Sequence, residues 1–431
     1  MPKRKKRANW PYRWALLSIA FTLLAYLGLQ TAIGANISIR RVGHIDWSLP
    51  LVAACLDATL AVWFVAVGAC VGSFLNVVAY RLPIGRTVGG HSGCPYCQVP
   101  IESRDNVPVL GWIKLRGRCR SCRLPISAQY PLVEFTVAIA FLLVYLTEFR
   151  IGGANLPGVD PRFARGAYGI KVTPIMILST VSYLVCVSGL IGAALIAIKK
   201  KAVPLKLYLW SVAPLTVTCL IFPEIIAIPW REALSPGPLG PIELRMDAFT
   251  TLLCGLVGGI ALGRMLTPLL HPNFDRTFIS RDSETNAARN FVGASGVAGS
   301  VLGWQSMIGF AWVLLLTAIM ATLIVRSTLN RSRNAKVPTE TQSAPGFDAV
   351  VDLTVWAWLG LLIFRTLWGS LDQFQVLPSW IPMVFRNLIA LIAAAPLARI
   401  YAGLNQQVVG PKVARTPQMD EEFDDSGDPD D

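Results

Sequence analysis

The chain has 431 residues, 53% hydrophobic and only 15% charged, with a mean hydropathy of +0.51. A soluble domain carries about 25% charged residues, so this composition excludes an ordinary soluble enzyme and a disordered chain and leaves a multi-spanning membrane protein. The net charge of +13 would suggest nucleic acid in a soluble protein. Here the basic residues sit between long apolar runs with no interleaved aromatic stripe, so they read as topology signals and no nucleic-acid partner is expected.

A bilayer crossing needs about 20 mostly apolar residues. In chain order the candidates are Tyr12–Ile33, Leu49–Tyr80, Tyr130–Leu146, Val172–Ile198, Leu205–Pro229, Asp247–Leu269, Trp304–Val325, Val350–Trp368 and Pro382–Tyr401. The short Gly/Ala/Ser-rich run Phe291–Gly303 reads as a further tight-packing span or half-span. Together they predict an all-α polytopic membrane bundle of about 9–10 spans. Leu49–Tyr80 is longer than one straight span, so part of it is expected along the interface. Asp57 and Asp247 then read as helix-terminal acids near the outer ends of their spans.

Basic clusters orient the bundle. Lys3, Arg4, Lys5, Lys6 and Arg7 put the N-terminus in the cytoplasm; Lys199, Lys200 and Lys201 do so for the turn after Ile198. Arg326, Arg331, Arg333 and Lys336 do so after Val325. The first span reads as an uncleaved anchor rather than a signal peptide. The expected organisation is an anchor and outer loop (1–48), two spans enclosing a cytoplasmic insert at 81–129 (49–146), a membrane core (172–325) and C-terminal spans (350–403). An acidic tail (404–431), ending in Asp420–Asp431, is expected to be disordered and cytoplasmic.

Five of the nine cysteines, Cys55, Cys70, Cys186, Cys219 and Cys254, lie singly in apolar spans and read as small buried hydrophobes. The other four form Cys94-Pro-Tyr-Cys97 and Cys119-Arg-Ser-Cys122. That spacing is that of a four-cysteine zinc site, structural because four protein ligands leave no open position. Two disulfides are the alternative, disfavoured on the cytoplasmic side. Arg118, Arg120 and Arg123 are expected to help hold the thiolates deprotonated. His91, three residues before Cys94, reads as a surface histidine.

The run Val71-Gly72-Ser73-Phe74-Leu75-Asn76 through Tyr80-Arg81-Leu82-Pro83 closely resembles the signature of the membrane prepilin peptidases. Arg104–Trp112, Leu115–Cys119, Cys122–Ser127 and Tyr130-Pro131-Leu132-Val133-Glu134 continue the match over roughly residues 68–140. From the residues alone, Gly72 and Ser73 permit close helix packing, and Asn76 can bond across helices. Arg81 and Pro83 stop a span on the positive side. Glu134 either pairs with a loop arginine or is a functional acid. The resemblance implies an intramembrane aspartic endopeptidase that cuts leaders from type IV prepilins and pseudopilins. In many members it also implies methylation with S-adenosylmethionine, for which no residue here identifies a site.

Aspartic proteolysis needs two carboxylates sharing a proton. Counting along the family pattern places them at Ala197, with a further acid at Lys199, and at Phe291. None is acidic. Asp282 and Glu284 are the nearest substitutes. There is no Ser/His/Asp set among His44, His91 and His271, and Gly258–Gly263 reads as a packing face. The expected protein is a bacterial inner-membrane relative, both termini cytoplasmic, that binds prepilin leaders or pilus and secretion assembly proteins without cutting. The alternative is an active peptidase using acids in another register.

Overall fold

A computed structural model describes residues 10–42, 48–156 apart from 91 and 95, 165–166, 169–170, 173–225, 241–334 apart from 272, 352–373, and 392–404 apart from 393. His91 and the acidic tail lie outside the described residues, as does most of Pro382–Tyr401, though 392 and 394–404 are helical. The long helices are α1 (Trp10–Val42), α2 (Ser48–Arg81), α4 (Gln129–Val144), α5 (Pro174–Ala197), α6 (Leu205–Ile221), α7 (Pro241–Leu270), α8 (Ser283–Leu302), α9 (Met307–Asn334) and α10 (Leu353–Gln373). Helix α3 (Leu110–Leu115) lies in the cysteine-bearing insert, and two two-residue strands pair at Arg165–Gly166 and Gly169–Ile170.

Among the described residues, five helices are long and apolar enough to cross a membrane, with Leu205–Ile221 and Leu353–Trp368 as shorter apolar helices. The chain is thus an integral membrane protein. The run at Phe291–Gly303 is the second half of α8, a 20-residue helix. Its polar start explains why it escapes a hydropathy reading.

Helix α2 is continuous over 34 residues, so no part of it turns along the interface as expected. An interfacial helix needs a polar face. The outer stretch of α2 instead exposes Leu49, Leu51, Val52, Leu56 and Trp63. Asp57 is likewise not helix-terminal. It lies more than two turns inside α2, where it accepts from Tyr26 of α1, from Tyr145, and from Arg150 Nε at 3.1 Å on both oxygens. Arg150 also donates to Gln30 of α1 at 2.7 Å. A buried acid that cannot stay unpaired in lipid thereby fastens α1 to the α2–α4 pair.

Helix α4 runs on through a π turn, Tyr145–Phe149. Glu148 in that turn accepts from Arg365 of α10 at 2.7 Å, with both side chains buried. Arg365 also covers the Tyr183 ring of α5 at 4.2 Å. Truncating one partner would leave a buried charge, so this pair locks α10 to the first half of the chain.

Small residues set the closest packing. On α7 a Cβ at Gly255 would lie 2.1 Å from Gly299 O, and one at Gly259 would lie 2.1 Å from Ser295 O. The Gly258–Gly263 string is therefore the packing face expected of it, carried by Gly259 and Gly263 against α8.

Candidate functional site

The insert is built from one hairpin used twice. Cys94-x-x-Cys97-Gln-Val-Pro-Ile and Cys119-x-x-Cys122-Arg-Leu-Pro-Ile share a pattern twenty-five positions apart. In each copy the first cysteine donates to the residue five ahead, Cys94 to Val99 at 3.1 Å and Cys119 to Leu124 at 2.9 Å. In each, its carbonyl accepts from the residue four ahead, Gln98 at 2.9 Å and Arg123 at 3.1 Å. Gln98 and Arg123 take the left-handed backbone (φ 55° and 65°) that turns the chain around the thiols. Bridges Gly93–Pro100 and Arg118–Pro125 close the two knuckles.

The four Sγ atoms lie within 4.8 Å of one another, with Cys94–Cys122 at 3.8 Å and Cys97–Cys119 at 3.9 Å. Zn–S bonds of about 2.3 Å imply a tetrahedron with S···S edges of about 3.8 Å, so the donor set fits. All four cysteines are free, and a disulfide needs sulfurs at about 2.05 Å. The cluster can hold a metal such as zinc. The Cys122 backbone N–H draws the Cys119 thiol down to about 6 against the opposing effect of burial, with the Ser121 N–H adding to it.

Arg120, one of the arginines expected at the thiols, is spent elsewhere. It grips Asp105, Nε on one oxygen and Nη2 on the other at 2.6 Å, and holds that carboxyl below its ordinary value. Asp105 is buried, with Lys114 Nζ at 3.6 Å. Gly111 is required beside it, since a Cβ there would lie 2.1 Å from Asp105 O. Trp112 Nε1 donates to Ile126 O at 3.0 Å and ties α3 to the second knuckle.

The signature residues converge on the α2–α4 seam. A Cβ on Gly72 would lie 2.7 Å from Glu134 Cα. Asn76 Nδ2 donates to Gly72 O and to Tyr130 O, both at 3.3 Å. Among the described residues Glu134 pairs with no arginine; its carboxylate accepts from the Ser73 side chain and from Val109 N at 2.6 Å. Val109 holds φ 59°, a strained setting for a β-branched residue, at the start of α3. The carboxylate therefore catches the insert by its backbone. Arg81 donates to Gly89 O and to Thr87 O at 3.5 Å, and Pro83 opens the short 3-10 turn Leu82–Ile84. Both shape the loop that leaves α2.

The junction of α5 and α8, where the resemblance puts the acids, buries both expected positions. Ala197 and Phe291 are buried, at 3% and 1% exposure. Residues 200–203 are laced to α8 by two asparagines the sequence reading passed over. Asn290 Oδ1 accepts from Val203 N at 2.8 Å, while its Nδ2 donates to Lys201 O at 2.9 Å. Asn286 Nδ2 donates to Lys200 O at 3.3 Å and to Arg281 O at 3.0 Å. Tyr208 Oη donates to Asn290 O at 2.9 Å.

Of the two substitute acids, Asp282 is otherwise engaged. Asp282 caps α8, accepting from Glu284 N and Thr285 N, both at 3.0 Å. Asp352, also missed, is buried at the start of α10, accepts from Thr354 N at 2.8 Å and feels His271. Neither acid is perturbed by a second carboxylate. An Asp-Leu-Thr start to an apolar run is a helix-cap signal that would have marked Asp352.

The Bacterial Peptidase A24 N-terminal domain family matches residues 66–148, spanning the seam and the insert. The chain is 28% identical over 291 residues to the "Prepilin leader peptidase/N-methyltransferase" of Myxococcus xanthus, covering 67% of this chain and 69% of that one. It is 30% identical over 238 residues to the "Type 4 prepilin-like proteins leader peptide-processing enzyme" of an Escherichia coli strain, covering 47% and 85%. A Burkholderia pseudomallei "Prepilin leader peptidase/N-methyltransferase" is 41% identical over 96 residues, covering 16% and 31%. No solved structure matches.

Proposed function

The chain belongs to the prepilin leader peptidase family, and from that premise we propose that this member binds prepilin or pseudopilin leaders, or the assembly proteins that handle them, without cutting. The observation that carries the reading is the α5–α8 junction. Buried Ala197 and Phe291 stand where the family pattern puts acids, and Asn290 spends its donor and its acceptor on the backbone of Lys201 and Val203. A dyad needs two carboxylates around one water. At the two expected positions the junction offers no carboxylate. The insert holds zinc as a structural ion, since all four ligands come from the protein and no position is left for a substrate. The protein sits in the bacterial inner membrane with the insert and both termini in the cytoplasm, as the basic clusters direct. S-adenosylmethionine rests on the names of the relatives alone.

The test is leader cleavage. Membranes carrying the full chain are incubated with a prepilin from the same genome beside an active relative. No product with a folded chain and an active control is expected. Cleavage that is lost in Asp352→Asn or Asp282→Asn would overturn the reading and favour an active peptidase in another register.

A further inference from the structure

Three tyrosines flank the insert-side ends of α2 and α4. Tyr80 lies in the last turn of α2 and is 59% exposed; Tyr130 lies in the first turn of α4 and is 44% exposed. Both Tyr80 and Tyr96 neighbour Tyr130. Tyr96 sits between the first two cysteines and is 60% exposed. Lys199, just past the end of α5, holds its Nζ 5.8 Å from the Tyr80 ring centroid. Burial, and then Lys201 beside it, lower the Lys199 ammonium from its ordinary value, and among the described residues no carboxylate acts on it.

Each component suits the headgroup layer. Tyrosine concentrates there because its ring prefers the acyl boundary and its hydroxyl prefers water. A lysine over an aromatic face, at the end of a span and without a carboxylate, is a cation awaiting an anion. Tyr96, between the first two cysteines of the knuckle, neighbours Tyr130 at the start of α4, so the knuckle borders the helix ends. We propose that Tyr80, Tyr96, Tyr130 and Lys199 form a notch that binds the phosphate of an anionic phospholipid headgroup and seats the zinc insert on the membrane surface. An acidic peptide would satisfy the lysines but would leave three exposed rings at the acyl boundary without a role. The inference stands whether or not the chain cleaves prepilins.

The full chain reconstituted in phosphatidylcholine vesicles with a minority of phosphatidylglycerol gives the test, with spin-labelled forms of both lipids as probes. The wild type is expected to restrain phosphatidylglycerol in preference to phosphatidylcholine. Each charge removed in Lys199→Gln and Lys201→Gln should lower that preference about fivefold, and Tyr96→Ser about twofold. Equal preference in the wild type and the double lysine variant overturns the proposal. So does a wild type that prefers neither lipid but gains a preference when residues 404–431 are trimmed, because the acidic tail is then the occupant. Zinc content reports an intact insert in each preparation. Should a variant lose zinc, the wild type decides alone: a preference that persists unchanged at high salt overturns the proposal.

Discussion

The α2–α4 seam and the α5–α8 junction use one device with two different side chains. In each, a buried polar group in a helix reaches out and catches a loop by its backbone. Glu134 takes Val109 N–H at 2.6 Å, and Asn290 takes Val203 N–H at 2.8 Å. The difference lies in what remains. A carboxylate only accepts, so Glu134 needs donors and draws them from Ser73 and the insert. An amide both donates and accepts, so Asn290 closes on Lys201 and Val203 at once. The seam thus keeps an acid and the junction does not. The half that resembles the family most densely is an architecture for presenting the insert. On the reading proposed above, it has survived in a chain whose other half has lost the groups for proteolysis.

The comparison predicts its largest effect at the insert. Cys94→Ser combined with Cys119→Ser should reduce bound zinc from about one per chain to near none, because structural zinc supplies about 10–16 kcal/mol to small folds of this kind. Amides of residues 92–126 should then exchange freely while those of α7 and α8 stay protected. An insert that remains protected without metal would show that Asp105, Gly111 and Trp112 suffice to fold it.

A smaller effect separates the two catches. Asn290→Ala strands the buried Val203 N–H and the part-buried Lys201 C=O, each costing about 1–3 kcal/mol, so a loss of about 2–6 kcal/mol is expected. Glu134→Ala strands chiefly the Val109 N–H and should cost about 1–3 kcal/mol, while Glu134→Gln keeps an acceptor and should cost less. Chemical denaturation in detergent reads all three. If Glu134→Ala proves costlier than Asn290→Ala, the seam rather than the junction is the stronger clasp and the comparison inverts.

These contacts mark the limit of what the sequence discloses. The paired C-x-x-C knuckles, the Gly72 close approach and the absence of acids at Ala197 and Phe291 are written in residue type and spacing. The partner of Glu134 is not, because it is a main-chain N–H. Any residue but proline supplies one, and nothing about Val109 announces a φ of 59°. The asparagines of α8 were missed for the same reason, as their partners are the backbones of Lys200, Lys201 and Val203. The Glu148–Arg365 pair joins residues 217 positions apart. Only tertiary packing brings them together, and each alone looks like a charge interrupting a span. Length alone suggests an interfacial stretch within α2, but the outer half of the helix is apolar outward and turns its acid, Asp57, inward to Arg150.

The smallest effect tests the arginines around the cysteines. Their sequence positions suggest a shared positive field that keeps the thiols ionised. The structure gives Arg120 to Asp105 and assigns the low Cys119 value of about 6 first to the Cys122 backbone N–H. Thiolates bind zinc and thiols do not, so zinc is lost as pH falls, and a group that stabilises the thiolate lowers the pH at which this happens. Removing a stabilising arginine would raise that midpoint. Arg118→Gln should leave it within about 0.3 pH units of wild type if backbone N–H groups hold the thiolate. Arg120→Gln should destabilise the insert by about 1–2 kcal/mol by freeing buried Asp105, yet move the midpoint only as far as that loss of fold requires. A midpoint raised equally by both variants would restore the field and take the backbone out of the account.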